Sequence, residues 1–234
     1  MQVKGKHIIV TGGSLGIGKE TAKNLIKKGA IVLVTGRSQE RLDRTFGDIE
    51  CHTIAFDIGD TSNIEHNAKK CLDLLNGQVD VLINNAGIGE RKSIEELSID
   101  SFMKVFNVNV FGLALFTKEM VPAMKNNNGG TIINIGSTAS LKGYQTGSIY
   151  ASSKFAVRCL TQCWQAELRP YNIRVCQINP SEVTTAFGSP DRIERNEVHN
   201  KLTSKEISHA ITSAIEMDDR GFINELNVWA TNPF

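Results

Sequence analysis

The sequence predicts a doubly wound α/β fold, in which a parallel sheet lies between helices on both faces. Seven short β-branched runs recur along the 234 residues, and most are continuously apolar, as strands covered on both faces are. Helical patterns separate these runs from end to end, which is typical of a doubly wound sheet. The predicted strands are His7–Thr11, Ile31–Thr35, Thr53–Phe56, Val79–Asn84, Thr131–Ile135, Ile173–Ile178 and Glu225–Ala230.

The helical patterns supply the connections. An apolar stripe over residues 17–26 is stopped by Gly29, and another over 64–75 opens with a predicted capping box of Ser62 and Glu65. No linker, repeat or low-complexity tract interrupts the alternation, so we expect residues 1–234 to form one domain. Further helices are predicted over about 99–124, 149–168 and 207–215.

Composition excludes several classes of function. Lys and Arg number 26 against 25 Asp and Glu, so the net charge is +1 and no basic field or stripe indicates a nucleic-acid partner. No apolar run approaches the roughly 18–20 residues that span a bilayer. The N-terminus has no apolar signal-peptide region. We therefore expect a cytoplasmic protein without a membrane partner.

The five cysteines indicate a reducing compartment. Their number is odd and none forms a C-x-x-C pair. Each lies in an apolar-periodic segment, so we expect them to be reduced and mostly buried. Cys159 and Cys163 share a predicted helix face, but no nearby histidine completes a set of metal ligands, and we predict no metal.

A glycine-rich turn joins the first strand to the first helix. Residues 11–18 read T-G-G-S-L-G-I-G. Glycines at such a turn let backbone N–H groups approach a pyrophosphate, which the helix N-terminus then stabilises. The alternative is a tight turn that needs glycine only for its backbone. The predicted cofactor-binding residues here are Gly12, Ser14, Leu15, Gly16, Ile17 and Gly18.

The end of the second strand predicts the choice of cofactor. An NAD site would place an acidic residue there to accept a hydrogen bond from the ribose 2′-hydroxyl. This chain has Arg37 and Ser38 instead. A guanidinium is suited to bidentate capture of a 2′-phosphate, so we predict NADP(H) over NAD(H). The alternative is that Arg37 is an ordinary solvated loop residue.

Two more strand ends belong to the same crevice. Asp57 follows the third strand, where a carboxylate can accept from an adenine amino group. The fourth strand ends in Asn84 and continues with Asn85, Ala86 and Gly87, whose small side chains would let the cofactor pass close. Either feature, seen alone, also fits a structural turn.

Four polar residues form a candidate catalytic group. Tyr150 and Lys154 are four apart on a predicted helix and so share one face, where the ammonium is expected to lower the tyrosine pKa from its ordinary value near 10. That shift would let the phenol exchange protons near neutral pH. Ser137 ends the fifth strand at the ligand-binding edge. Asn109 lies mid-helix in an apolar stretch, either in the site or as a buttress of the helix.

In this order, the motifs resemble those of the short-chain dehydrogenase/reductase family, in its branch of roughly 250 residues. The resemblance covers about residues 6–185 and implies a Rossmann-like, three-layer fold with seven parallel strands. It also implies a catalytic tetrad. Tyr150 would be the general acid, Ser137 would orient the carbonyl, Lys154 would bind the nicotinamide ribose and tune the tyrosine, and Asn109 would hold a proton-relaying water.

The resemblance also implies contacts with the cofactor. Asp57 and Ile58 would meet adenine, and Asn85 the ribose region. After the sixth strand, Val183 would contact the nicotinamide carboxamide and Thr185 the amide or phosphate. The cofactor positions implied in this last segment are Pro180, Val183 and Thr185.

Some features depart from the family or stay open. Ser181 stands where members usually carry glycine, and the usual Asp-Gly-Gly near the C-terminus is missing. Residues 186–204 would form much of a substrate lid, but their polar, mixed-charge composition names no substrate. The apolar excess of the two long helices fits the family's dimer contact, giving a homodimer or homotetramer, and also fits packing within one subunit.

The resulting hypothesis is an NADP(H)-dependent oxidoreductase that transfers hydride between nicotinamide and a carbonyl or secondary alcohol. Reduction of a ketone or a 3-oxoacyl thioester is the favoured reaction, with a small carbonyl or alcohol as substrate. The alternative is an NADP-binding regulatory or scaffold protein without turnover. Such a protein would typically have lost Tyr150 or Lys154, and this chain has both.

Overall fold

Seven parallel strands form one sheet in the computed structural model, which describes residues 2–189 and 191–233. The strand order is β3-β2-β1-β4-β5-β6-β7, so the winding direction reverses between β1 and β4. The predicted fold class and strand number are confirmed. The strands are β1 (His7–Val10), β2 (Ile31–Gly36), β3 (His52–Ala55), β4 (Val81–Asn84), β5 (Gly130–Ile135), β6 (Ile173–Pro180) and β7 (Glu225–Val228).

Helices cover both faces of this sheet, and side chains alternate between two apolar cores. Ile8 and Val10 of β1 belong to one core with the helices α1 and α7, whereas Ile9 points to the other with α3 and α5. The helices are α1 (Gly16–Lys27), α2 (Gln39–Phe46), α3 (Ile64–Leu74), α4 (Ile99–Phe106), α5 (Leu113–Asn126), α6 (Ser148–Leu168) and α7 (Ser204–Glu216).

The long helix predicted over 99–124 is interrupted by a π-helical turn. This turn, Asn107–Gly112, joins α4 to α5. A side chain at Gly112 would collide with the Ile58 carbonyl oxygen, so glycine permits the helix to approach the β3–α3 loop at this point. Taken together, α4, the π-helical turn and α5 form a helical stretch, Ile99–Asn126, that reaches the length and mean hydropathy of a membrane span. The sequence has no uninterrupted apolar run of that length. The buried face of this stretch packs on the sheet and on α3.

One local prediction was wrong, and one helix was missed. Ser62 does not cap α3, because its hydroxyl donates to Asp60 Oδ1 at 2.6 Å within a short 3₁₀ turn that precedes the helix. Helix α2 was not predicted, since its eight residues are strongly polar and bury only Leu42 and Phe46. Ser38, expected at the cofactor, is the residue that caps α2 by accepting from the Arg41 backbone N–H.

The cysteines are less uniform than the sequence predicted. All five are free, but Cys159 and Cys163 are exposed on the outer face of α6, four residues apart. Cys71 and Cys176 are buried in the two cores, and burial raises the pKa of each thiol to about 12. The expectation of mostly buried cysteines therefore fails for the two on α6, because that helix turns their positions away from the sheet.

Replacing Gly112 by alanine tests the close approach at the π-helical turn. We expect Gly112→Ala to lower the free energy of unfolding by about 1–3 kcal/mol, because the new methyl group meets the Ile58 backbone and not a movable side chain. Urea unfolding measures the effect. Gly221→Ala is the matched control, since a side chain there meets open space. Equal stability of the two variants would contradict this account of the turn.

Candidate active site

The loops that follow β1 and β4 meet where the winding direction reverses, and Asn85 joins them. Its side-chain amide donates to the carbonyls of Thr11 and Gly12, both at 2.9 Å. The Thr11 hydroxyl accepts in return from the backbone N–H groups of Asn85 and Ala86, at 3.0 and 3.1 Å. Asn85 is therefore committed to holding the glycine-rich loop in place.

The glycines of this loop let its backbone pack directly against neighbouring backbone. Gly12 and Gly16 have φ of +65° and +55°, a region that favours glycine. A side chain at Gly12 would come within 2.7 Å of the Ala86 Cα, and one at Gly18 within 2.8 Å of the Gly12 carbonyl oxygen. The loop is thus a cradle of closely packed, bare backbone, the type of surface that suits a phosphate ester.

The N-terminus of α1 holds an anion from within the chain. Leu15 provides no side-chain cap, and the first turn contains no acidic residue. The Glu194 carboxylate accepts from the Gly16 N–H at 2.9 Å and from Lys19 Nζ at 2.6 Å. This carboxylate shows that the donors fit a bound anion, as a pyrophosphate would be. Gly16 also lies beside Thr185, which follows β6.

The remaining residues of the loop lie on either side of the cradle. Ser14 packs beside Gly36 at the end of β2, close to where Arg37 begins the β2–α2 connection. Ile17 is partly buried and packs against the core shared by α1 and α7.

Three arginines come together past the end of β2. Arg37 is exposed, and Arg41 lies one turn into α2. Burial and the neighbouring charges of Arg37 and Arg41 together lower the pKa of Arg192, which reaches the same place from the predicted lid. The sequence identified Arg37 alone, because nothing in the spacing relates it to a residue of the lid.

After β3, the two residues predicted to contact adenine differ in exposure. Asp57 is exposed, and its carboxylate accepts from the Gly59 N–H at 2.8 Å. Ile58 is buried against the π-helical turn and belongs to the core. Only Asp57 therefore presents its side chain to the cleft.

The π-helical turn brings Asn109 against the loop after β4. The Asn109 amide accepts from the Ile88 N–H at 2.9 Å, donates to the Ile88 carbonyl at 2.9 Å, and donates to Ser153 Oγ of α6 at 3.0 Å. Asn109 thus joins the π-helical turn, the loop and α6. Gly87 lies between Asn109 and Lys154, where a Cβ would come within 3.4 Å of Asn109 Oδ1 and 3.7 Å of Lys154 Nζ.

Lys154 is buried on α6 with one hydrogen-bond acceptor. Its ammonium donates to the Ile135 carbonyl at the end of β5, at 2.7 Å. Burial lowers the pKa of Lys154 from 10.5 to about 8. The group is therefore mostly charged at neutral pH, at an energetic cost, and any further acceptor placed beside it would stabilise the charged form.

Tyr150 lies one turn before Lys154, and its phenol hydrogen-bonds the Ser137 hydroxyl. Burial raises the pKa of Tyr150 to about 12, and this effect exceeds the lowering by Ser137. The expectation that Lys154 lowers this pKa is wrong for the protein by itself. Lys154 Nζ lies 5.8 Å from the ring centroid and is directed to Ile135, so burial dominates. The tyrosine holds its proton at neutral pH.

Two residues that sequence reasoning missed support this pair. Asn179 Oδ1 accepts from the Ser137 N–H at 3.2 Å and so fixes the end of β5. Phe187, in the predicted lid, packs on the Tyr150 ring with centroids 5.6 Å apart. The sequence offered one signal for each residue. Asn179 is an amide at the buried end of a strand, and Phe187 is an aromatic residue in a polar segment.

The segment after β6 passes beside the glycine-rich loop. Pro180 is buried at the end of β6, and Val183 pairs with Leu202 in an isolated bridge. Among the described residues, Ser181 is not one of the non-glycine residues with positive φ, so the serine fits the backbone without strain. Within the predicted lid at 186–204, Pro190 lies outside the described residues.

No group of three or more histidine, cysteine or acidic side chains in the described chain could hold a metal ion. Asn109, Ser137, Tyr150 and Lys154 converge at the carboxyl edge of the sheet, next to the glycine-rich loop.

Known proteins are similar to this chain in sequence and fold. A mouse 3-ketodihydrosphingosine reductase is 33% identical over 195 residues, which is 79% of this chain and 58% of the relative. The chain thus spans less than two thirds of the length of that relative. An alcohol dehydrogenase from Thermococcus sibiricus, complexed with 5-hydroxy-NADP, has a TM-score of 0.89 at 27% identity and 97% coverage of both chains.

A 3-ketoacyl-(acyl-carrier-protein) reductase from Brucella melitensis, complexed with NADH, has a TM-score of 0.86 at 26% identity, covering 99% of this chain and all of that one. The family model for short chain dehydrogenases matches residues 6–196, most of the chain. The protein therefore belongs to the short-chain dehydrogenase family of oxidoreductases.

Proposed function

We propose that the protein is an NADP(H)-dependent oxidoreductase that interconverts a carbonyl and a secondary alcohol. The observation that carries the proposal is the hydrogen bond between Ser137 and a protonated Tyr150, one helical turn from the buried ammonium of Lys154. The proposal treats residues 1–234 as one catalytic domain. It rests on the tetrad geometry, the glycine cradle and membership of the family.

The chain's own residues would hold the dinucleotide along the carboxyl edge of the sheet. The pyrophosphate would lie on the cradle formed by Gly12, Gly16 and Gly18, with Ala86 as its neighbour. The segment containing Thr185 closes the other side. When bound, the reduced nicotinamide supplies a hydride to the carbonyl carbon.

In reduction, Ser137 and Tyr150 would receive the carbonyl oxygen. The Ala139 N–H donates to Ser137 Oγ at 3.1 Å, which leaves the serine proton free to point at that oxygen. Tyr150 then transfers its proton as general acid, which its high pKa allows because the phenol is fully protonated beforehand.

Lys154 and Asn109 would support the tyrosine. The Lys154 ammonium stabilises negative charge on the phenolate that forms as the proton leaves, and donates to Ile135 meanwhile. Asn109 fixes the Ile88 loop against α6 and so keeps the wall of the cleft in place. We assign Asn109 the role of ordering a water that returns a proton to the lysine.

The charged residues near the end of β2 favour NADP(H) over NAD(H). Structural relatives are complexed with 5-hydroxy-NADP in one case and NADH in another, so the fold does not decide the cofactor. Arg37, Arg41 and Arg192 gather near the end of β2, and no acidic residue follows that strand directly. Mutual repulsion among three guanidinium groups would be relieved by a doubly charged 2′-phosphate.

The substrate would be a ketone or 3-oxoacyl thioester with an apolar portion. Phe187 covers the Tyr150 ring and lies beside Gly89, so it presents an apolar wall next to the catalytic hydroxyl. Two relatives are named as reductases of such 3-keto compounds, one of a ketosphingoid base and the other of an acyl thioester. Both names describe substrates with a 3-keto group.

We also propose that two copies associate through the long helices. Phe111 and Leu115 on one helix and Phe155 on the other are 42%, 38% and 42% exposed. Exposed large apolar side chains on helices that the family uses for its dimer favour burial by a second copy over packing within one subunit. The arrangement gives a homodimer, or a homotetramer if a second interface forms.

Replacing Tyr150 by phenylalanine tests the reaction. We expect Tyr150→Phe to lose roughly 10²–10⁴-fold or more in turnover, because the general acid is removed. NADPH oxidation against ketones, aldehydes, diketones and 3-oxoacyl thioesters measures it, and cofactor binding should persist. Tyr171→Phe, which alters an exposed phenol in the 3₁₀ turn after α6, is the control. Full activity of Tyr150→Phe would overturn the mechanism, and binding without turnover in the unmodified protein across the panel would favour the regulatory alternative.

Replacing Arg37 by leucine tests the cofactor. We expect Arg37→Leu to weaken NADPH binding by about tenfold or more and to leave NADH binding within about twofold, since only NADPH carries the 2′-phosphate. Arg44→Leu makes the same change of charge on the exposed side of α2 and serves as control. Tighter binding of NADH than NADPH by the unmodified protein would contradict the assignment.

The pKa of Lys154 gives a prediction on stability. Between pH 8 and 10.5 the unfolded chain keeps a proton that the folded protein has released, so the folded state gains stability as pH rises. We expect the unmodified protein to gain about 1–3 kcal/mol relative to Lys154→Met between pH 7 and 10.5. Urea unfolding at both pH values measures the difference. A difference that does not change with pH would show that Lys154 is not held at a cost.

A further inference from the structure

A carboxylate of the predicted lid lies on the N-terminus of the helix that follows the glycine-rich loop. Glu194 is 178 residues from Gly16 in the chain, yet one of its oxygens accepts from the Gly16 N–H at 2.9 Å. The other oxygen accepts from Lys19 Nζ at 2.6 Å. Both carboxylate oxygens are therefore engaged by the first turn of α1.

This position is the strongest anion site of the helix. The first N–H groups of α1 have no partners within the helix, Leu15 supplies no cap, and the first turn has no acidic residue of its own. Burial raises the pKa of Glu194, but the hydrogen bonds from Lys19 and Gly16 outweigh it and hold the pKa below its ordinary value. Glu194 is thus fully ionised at neutral pH and meets the helix as an anion.

The neighbouring residue fixes the segment in this position. Arg195 donates to the Val183 carbonyl at 2.6 Å and to the Thr185 carbonyl at 3.2 Å. It also donates to Glu182 at 3.0 Å. The contact of Glu194 is therefore held by the strand-end segment that we assign to the nicotinamide half of the cofactor, and is not an isolated surface ion pair.

We propose that Glu194 is an internal competitor for the cofactor's pyrophosphate. The inference rests on the proposed function, because it takes the glycine cradle to bind a dinucleotide. Two anions cannot share the Gly16 N–H and the Lys19 ammonium without strong repulsion, so the dinucleotide binds only as Glu194 leaves. Binding of the cofactor and release of Glu194 are then one linked equilibrium, and Glu194 lowers the apparent affinity for the cofactor.

The exchange conserves the interactions of α1. When Glu194 leaves, the same N–H and ammonium groups become donors to a pyrophosphate that carries more charge than a carboxylate. The freed carboxylate moves into solvent, where its charge is well hydrated. The segment next to Phe187 and the catalytic tyrosine therefore changes its contacts when cofactor binds, which couples the two ends of the cleft.

The test compares Glu194→Gln with Glu197→Gln by equilibrium titration of NADPH fluorescence, without substrate. Glu197 lies three residues away and pairs with Lys205 at the surface, at 3.3 Å, so this control makes the same change of charge in the same segment. We expect Glu194→Gln to bind NADPH about 5- to 50-fold more tightly and Glu197→Gln to stay within about twofold of the unmodified protein. Glu194→Ala, which removes the acceptor entirely, should act in the same direction as Glu194→Gln.

Adenosine 2′-monophosphate is the second probe, displacing NADPH in competition. It lacks the pyrophosphate, so its affinity should not change in Glu194→Gln. Equal or weaker NADPH binding by both Glu194 variants would overturn the proposal. An equal gain in NADPH affinity in Glu197→Gln would also overturn it, and so would an equal gain in the affinity of Glu194→Gln for adenosine 2′-monophosphate. In either case the effect would come from the general electrostatic field of the segment and not from competition for the pyrophosphate. Failure of the unmodified protein and of every variant to bind NADPH or NADH would instead reject the dinucleotide site, and the competitor with it.

Discussion

The site depends on the hydrogen bonds by which Asn85 and Thr11 join the loops after β1 and β4. These loops diverge in a doubly wound sheet, because the helices that follow them pack on opposite faces. The crevice would open without a tie between them, and the glycine-rich loop would have no floor. Asn85 supplies the tie with both amide hydrogens, which are accepted by backbone carbonyls, so this tie occupies none of the backbone N–H groups of the loop.

A series of buried side-chain hydrogen bonds extends across the sheet from Asn84 to Ser137. Asn84 donates to Asn134 at 2.9 Å, Asn134 donates to Thr161 at 2.8 Å, and Gln177 donates to Asn179 at 2.7 Å. Asn179 then accepts from the Ser137 N–H. Each buried amide must keep its partner, since an unpaired one costs about 1–3 kcal/mol. The position of Ser137 is thus fixed by strands on both sides of it.

The sequence determined what periodicity and strand order can determine. Continuous apolar runs placed seven strands, and residues at strand ends, such as Ser137 and Gly87, necessarily met at one edge. Contacts between residues far apart in sequence stayed hidden. The π-helical turn depends on the approach of Gly112 to Ile58, and the contact of Glu194 depends on the path of a polar segment without periodicity. The direction of the Tyr150 pKa also needed the structure, because burial opposes the effect of a nearby ammonium.

Both ends of the cleft present positively polarised hydrogen-bond donors. At one end Lys154 is buried as a cation with a single backbone acceptor, and at the other the N-terminus of α1 has no cap of its own and is met by the Glu194 carboxylate. The buried cation costs stability in the protein by itself, whereas the charge at the helix N-terminus is already balanced from within the chain. Under the proposed function, a dinucleotide would supply ribose hydroxyls to the first end and a pyrophosphate to the second. Donors that are held in place before a ligand arrives need not be ordered again during binding, so the fixed positions of Lys154 and of the α1 N-terminus would lower the entropic cost of binding.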